Sequence, residues 1–289
     1  MIAINVNDFK ITNSITLKNL PTLLDVKGDF ESELEKIRVK LSKFQDVMYA
    51  HNKYAVLICL QGMDTSGKDS LIREVFKDFN VRGIVVQSFK VPNSNELEHD
   101  YLWRHYIALP EKGKFGVFNR THYENVLVTR VHPEYILGEN LPGINSVDDI
   151  DDFFWKNRFD QINNFEKHIA QNGTIVLKFF LNMSKEEQRK RLLKRLENAE
   201  DNWKFSTGDL KERKLWDKYM SCYEDAINNT STEIAPWNVI PADDKDMCRY
   251  IIAKIIWETL QQLSDVKEPE LNDEVKENMK LFMKELKSE

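Results

Sequence analysis

The sequence of 289 residues has only three cysteines, Cys59, Cys222 and Cys248. They are scattered, without metal-ligand spacing, which excludes a disulfide framework, argues against zinc and fits a reducing compartment, so a cytoplasmic protein is expected. No apolar run approaches the roughly 18–20 residues of a membrane span, and the start MIAINVNDFK lacks a basic region followed by an apolar core. Ten glycines and eight prolines are too few for a collagen-like or low-complexity chain. Positive charge is also in deficit: 41 Lys and Arg against 47 Asp and Glu leave a net charge of −6, which disfavours nucleic acid as the main partner. Any polyanion must meet a local basic patch. What remains is an ordinary globular composition, 42% hydrophobic and 30% charged, long enough for one large α/β domain with attachments.

Five short apolar runs read as strands: YAVLICLQG, GIVVQSF, FGVFNR, GTIVLKFFLNM and WNVIPADD. Helical patterns separate them, at about 67–79, 95–107, 122–131, 148–171 and 184–197, with another at 246–263. An amphipathic helix carrying Leu34, Ile37, Leu41, Phe44 and Met48 precedes the first strand. Alternation of this kind predicts a parallel five-stranded sheet with helices on both faces. Three parts are expected: an N-terminal extension and helix over 1–53, a phosphate-binding domain over 54–265 with a polar lid at about 198–216, and a charged C-terminal helix over 266–289. That tail carries Leu271, Val275, Met279, Leu281, Phe282 and Leu286 at helical spacing, so it packs on the surface or on another subunit, and a dimer or tetramer is expected.

Directly after the first strand, GMDTSGKDS fits G-x-x-x-x-G-K with Gly62, Gly67 and Lys68 and leads into a helix. Glycines let backbone wrap a phosphate, the helix N-terminus aims N–H groups at it, and Lys68 can follow a migrating phosphoryl group. Thr65, Ser66 and Ser70 complete the candidate phosphate-binding loop. Two positions are unusual: Asp69 stands where such loops carry Ser or Thr for magnesium, and Asp64 lies inside the loop. A carboxylate there repels phosphate unless a divalent cation sits between them, which makes Asp64 the first candidate metal ligand. Asp69 reads equally as a first-turn acid favoured by the helix dipole or as a metal or acceptor-orienting group.

The third strand ends in FNRTHYENV, where a nucleotide kinase commonly has an Asp for magnesium; here the residue is Asn119. Arg120 beside it can clamp a phosphoryl oxygen, and Glu124 can supply the missing carboxylate as a second metal ligand. Basic residues accumulate towards the same edge. Arg104, Arg130 and Arg158 are candidates, as is the run KEEQRKRLLKR with Arg191, Lys194 and Arg195, extended into the lid by Lys204. This run is either a solvated helix face or a cationic wall for successive phosphates, Arg191 and Arg195 lying one helical turn apart. His122 lacks a Ser or Cys nucleophile pattern beside it, so a hydrolase triad has little support.

Taken together, GMDTSGKD, SFKVPNSNELEHDYLWRHYIALP, GVFNRTHYENVLVTRVHPEY, TIVLKFFLNMSKEEQ, WKFSTGDLKER and APWNVIPADDK resemble the type 2 polyphosphate kinases, over about residues 20–265. The FNRTHYENV form is similar to the class III branch, which phosphorylates both nucleoside mono- and diphosphates from polyphosphate. The resemblance implies a three-layer P-loop kinase fold with a helical lid, dependence on Mg²⁺ with Mn²⁺ as substitute, and a long inorganic polyphosphate in a basic channel. It places the loop carboxylate and lysine of the family on Asp64 and Lys68, the following Asp on Asp69 and the third-strand arginine on Arg120. The expected reaction is reversible phosphoryl transfer between polyphosphate and AMP, ADP or other nucleotides. An ATP-dependent nucleotide kinase and a non-catalytic nucleotide-binding switch are the alternatives.

Overall fold

The computed structural model describes residues 2–198 and 207–289. Helix α1 (Phe30–His51) opens on the Asp29 carboxylate, which accepts from the Ser32 amide, and closes at Asn52 in the left-handed region. Its Leu34, Ile37, Leu41 and Met48 are buried, as their spacing requires. Strand β1 (Ala55–Gln61) follows, then α2 (Lys68–Val75), β2 (Ile84–Ser88), the single turns α3 (Ser94–Leu97) and α4 (Trp103–Tyr106), and β3 (Phe115–Asn119). The second half runs α5 (Glu124–Val131), α6 (Asp152–Gln171), β4 (Thr174–Asn182), α7 (Lys185–Glu197), α8 (Thr207–Lys214), α9 (Trp216–Thr230), β5 (Trp237–Pro241), α10 (Lys245–Leu260) and α11 (Asp273–Leu286).

All five expected strands form, and they make one parallel sheet in the order β2-β3-β1-β4-β5. Every residue of β1 is buried because strands and helices cover it on all sides. Its side chains alternate, Val56, Ile58 and Leu60 joining one core cluster while Leu57 and Cys59 join Phe118, Phe165 and Ile169 in another. Helices α1 and α10 pack together in one layer, and α5, α6 and α9 pack together in the other. The N-terminal segment lies along β5, where Lys10 bridges Asn238 and the Ile11 amide donates to Trp237 O.

Two helical expectations change. The helix expected over 95–107 divides into α3, a single turn opened by a capping box of Asn93 and Glu96, and α4, with turn residues between them. Helix α9 was not anticipated, although Trp216, Tyr219, Tyr223, Ala226, Ile227 and Thr230 recur at three and four residues and are all buried. The expected lid at 198–216 lies partly outside the described residues; its described portion is essentially α8. Among the described residues no helix is long and apolar enough to cross a membrane.

Candidate active site

The parallel order brings the C-terminal ends of β1 and β3 side by side, with Leu60 paired to Asn119. Both chains turn immediately beyond that rung, so the glycine-rich loop and the Arg120 turn face one another, at the edge where α/β sheets bind ligands. Gly62 (φ 153°) cannot carry a side chain: a Cβ there would lie 2.9 Å from Ser66 Oγ and 3.1 Å from the Leu181 carbonyl oxygen. Thr65 (φ 65°) and Arg120 (φ 58°) are non-glycine residues in the left-handed region, one in each turn. Such backbone is costly and persists where surrounding contacts enforce it.

Lys68, the first residue of α2, folds back over its own loop. Its ammonium donates to Gly62 O at 2.6 Å, Met63 O at 3.2 Å and Ser66 Oγ at 3.4 Å. Burial pushes it below the usual lysine value, against the pull of Asp64. Across the gap, Arg120 Nη2 donates to Asp64 Oδ1 at 3.2 Å, and both side chains remain partly exposed. Glu124 shifts the other way: burial raises its carboxyl above the usual value, only partly offset by Arg120 and by the Gln61 hydrogen bond. Gln61 Nε2 donates to Glu124 Oε1 at 3.0 Å and to Thr121 Oγ1 at 3.1 Å, so the last residue of β1 holds the turn after β3. Asn119 donates its amide to Asp69 Oδ1 at 2.6 Å, and its own Oδ1 is buried with no hydrogen-bond partner.

Among the described residues no group of three or more His, Cys, Asp or Glu side chains is gathered closely enough to enclose a metal. The donor set here, Asp64 and Glu124 with the unpartnered Asn119 oxygen nearby, fits a hard cation that takes one or two carboxylates and completes its shell with phosphate oxygens and water. Helix α9 contributes residues that the sequence did not single out. Tyr223 is buried, its phenol raised first by burial and then by the Glu124 and Asp64 charges. Tyr219 donates to Glu212 Oε2 at 2.6 Å.

The expected basic wall is arranged differently. Arg104 is buried, donating to Glu96 and to Lys90 O and lying over the Phe89 ring. Arg130 pairs with Asp225 over Trp155, and Arg158 pairs with Glu139 over Tyr101. Arg191 does not share a solvent face with Arg195. It is buried beneath the phosphate loop, donating to Thr65 O, Ser66 O, Ala242 O and Asp243 O and to the Glu187 carboxylate. The reason is helical phase: Gln188, Arg191 and Leu192 form the buried stripe of α7, whereas Leu193 and Leu196 are exposed. Arg195 pairs with Asp209, Lys194 is exposed, and Lys204 lies outside the described residues.

Backbone shaped for an anion, with a lysine and an arginine about it, suits the handling of phosphate oxygens, and the sheet that carries them is that of a P-loop kinase. The chain belongs to the polyphosphate kinase 2 (PPK2) family, whose model matches residues 25–268. It is 47% identical over 224 residues to the ADP-polyphosphate phosphotransferase of Rhodopseudomonas palustris, covering 78% of this chain and 76% of that protein. The AMP/ADP-polyphosphate phosphotransferase of Meiothermus ruber is 44% identical over 241 residues, covering 82% and 85%. The crystal structure of polyphosphate kinase 2 from Arthrobacter aurescens superimposes with a TM-score of 0.88 at 31% identity, covering 98% of each chain.

Proposed function

We propose that this protein transfers a terminal phosphoryl group between inorganic polyphosphate and nucleotides, AMP to ADP and ADP to ATP, in both directions and with other nucleoside mono- and diphosphates as further acceptors. The observation that carries the reading is the facing of Arg120 and Asp64 across the glycine-rich loop, in a chain whose relatives are named as AMP- and ADP-polyphosphate phosphotransferases.

The loop amides and Lys68 hold the transferred group, and Arg120 follows it as charge moves from donor to acceptor. A nucleotide phosphate oxygen is already anionic at neutral pH, so no strong base is required and positioning supplies much of the rate. Asp64 and Glu124 would hold Mg²⁺, or Mn²⁺ in its place, which when bound neutralises charge on the phosphoryl oxygens. The exposed Lys194, with Arg195 beside it, is the proposed start of the polyphosphate path. Arg104, Arg130, Arg158 and Arg191 are each engaged in an internal ion pair, and Arg191 also braces the glycine-rich loop from beneath.

Purified protein with AMP, Mg²⁺ and polyphosphate should form ADP and then ATP, and short polyphosphate should outperform ATP as donor to AMP. Turnover with ATP alone would identify an ATP-dependent nucleotide kinase, and nucleotide binding without turnover a switch. Light scattering tests the proposed dimer or tetramer.

A further inference from the structure

Between Arg120 and Glu124 the chain does something that phosphate chemistry does not require. His122 and Tyr123 turn inward and are completely buried, and both end on one carboxylate: His122 Nε2 lies 3.1 Å from Glu166 Oε1, and the Tyr123 hydroxyl donates to the same oxygen at 2.7 Å. Because a carboxylate only accepts, the facing imidazole nitrogen is the one bearing hydrogen. Glu166 sits on α6 and is itself buried. Its charge is answered by Lys178 of β4, whose ammonium donates to Glu166 Oε2 at 2.6 Å, to the Tyr123 hydroxyl at 2.8 Å and to Thr230 O at 2.7 Å. Burial works to raise the Glu166 carboxyl, but Lys178 and His122 outweigh it and leave it lowered, while burial lowers the Lys178 ammonium against the pull of Glu166; the 2.6 Å contact holds the two as a pair.

Thr230 is the last residue of α9, the helix that brings Tyr223 under the site, and its hydroxyl accepts from Trp237 Nε1 at 2.9 Å. Four elements therefore meet at one buried ion pair: the β3–α5 turn, α6, β4 and the end of α9. Stability alone is a poor account of it, since the cost of desolvating two charges often equals their attraction and apolar replacements of the same shape are commonly as stable. What the pair does provide is direction. Hydrogen bonds fix where His122 and Tyr123 end, and these two residues are the only chain between Arg120 and Glu124 apart from Thr121, itself held by Gln61.

We propose that Glu166 and Lys178, acting through His122 and Tyr123, are positioning residues for phosphoryl transfer, setting where Arg120 and Glu124 stand relative to the glycine-rich loop. The inference rests on the role proposed above for Arg120 and Glu124. Neither Glu166 nor Lys178 touches substrate; their effect is on placement, where a shift of about 1 Å can lower turnover by about 10²-fold.

The experiment compares turnover and Michaelis constants for ADP and polyphosphate, with melting curves, in three variants. Glu166→Leu with Lys178→Met removes the charges and the acceptor; turnover should fall roughly 10- to 100-fold while both Michaelis constants stay within about twofold. Glu166→Gln with Lys178→Met removes the charges but keeps a carbonyl oxygen for His122 and Tyr123, and should recover most of that loss. Tyr123→Phe deletes one hydroxyl at conserved volume, so it remains informative if the Leu–Met pair does not fold, and should lower turnover about 3- to 10-fold, as expected for one lost hydrogen bond. Unchanged turnover in folded Tyr123→Phe, or equal losses in the Gln–Met and Leu–Met pairs, overturns the proposal. A wild type without polyphosphate-dependent turnover overturns the functional reading instead.

Discussion

Asn119 holds Asp69 at 2.6 Å through a side-chain amide, joining the end of β3 to the first turn of α2 by one short, charge-assisted hydrogen bond. An aspartate at 119 would turn that contact into two facing carboxylates. Asn119→Asp should therefore destabilise the metal-free protein by about 1–2 kcal/mol, a few degrees in melting temperature for a domain of this size. Added Mg²⁺ should narrow the gap. Melting curves with and without Mg²⁺ check this, and identical curves for the two proteins in chelator would refute it.

Asp64 is the carboxylate that both faces Arg120 and stands inside the loop. Asp64→Asn is nearly isosteric, so folding should persist while turnover falls by roughly 10²- to 10⁴-fold, the scale of removing an electrostatic group from a transition state. Lys68→Ala should likewise lower turnover more than nucleotide affinity. Steady-state kinetics at saturating Mg²⁺ decides both cases, near-normal turnover being the contrary result.

Glu124 carries a pH signature. Its folded-state value is raised by burial, so the folded protein favours the protonated carboxyl. That contribution is fully present below the unfolded-state value, about 4.3 for glutamate, and is lost as pH rises through the folded-state value. At neutral pH the buried charge thus costs stability wherever no cation answers it. Glu124→Gln should melt higher than wild type at pH 7, converge with it in acid, and show a changed Mg²⁺ requirement or acceptor preference. A lower melting temperature at pH 7 would contradict this.

Arg191 and Lys194, three residues apart, should behave oppositely. Arg191→Ala strands four backbone carbonyls and the half-buried Glu187, and each buried acceptor left unpaired costs about 1–3 kcal/mol, so melting temperature and affinity for both substrates should fall. Lys194→Ala should leave melting unchanged and weaken long polyphosphate alone. Its donor affinity should also depend less steeply on salt, because exposed charges are screened over about 8 Å at roughly 0.15 M. Matching melting temperatures for Arg191→Ala and wild type would count against the brace beneath the loop.

The strands were legible because each is a β-branched or aromatic run that ends or begins at a residue unable to extend it, as at Gly62, Gly83, Gly173 and Pro236. The glycine-rich loop was legible for a related reason: its chemistry lies in consecutive residues. The interior of α7 was not. A run such as KEEQRKRLLKR shows that cations are present, but which one turns inward depends on the phase at which the helix meets the loop, and that phase buries Arg191 and exposes Lys194. Lys178 and Glu166 were invisible for a stronger reason, since they lie on different elements and look, one at a time, like a lysine in an apolar strand and an acid on a helix. Tyr223 and the period of α9 are masked in the sequence by the charged segment before them.

Helix α11 buries none of its 14 residues, and Leu281, Phe282 and Leu286 are all more than half exposed. A helix of that length with no buried residue gains little from tertiary packing and keeps close to the marginal stability of a free peptide. In the isolated subunit its amides should exchange with solvent deuterium orders of magnitude faster than those of α10, whose Ile251, Ile252 and Ile256 are sealed in the core, and a protease should reach its backbone while the sheet is still intact.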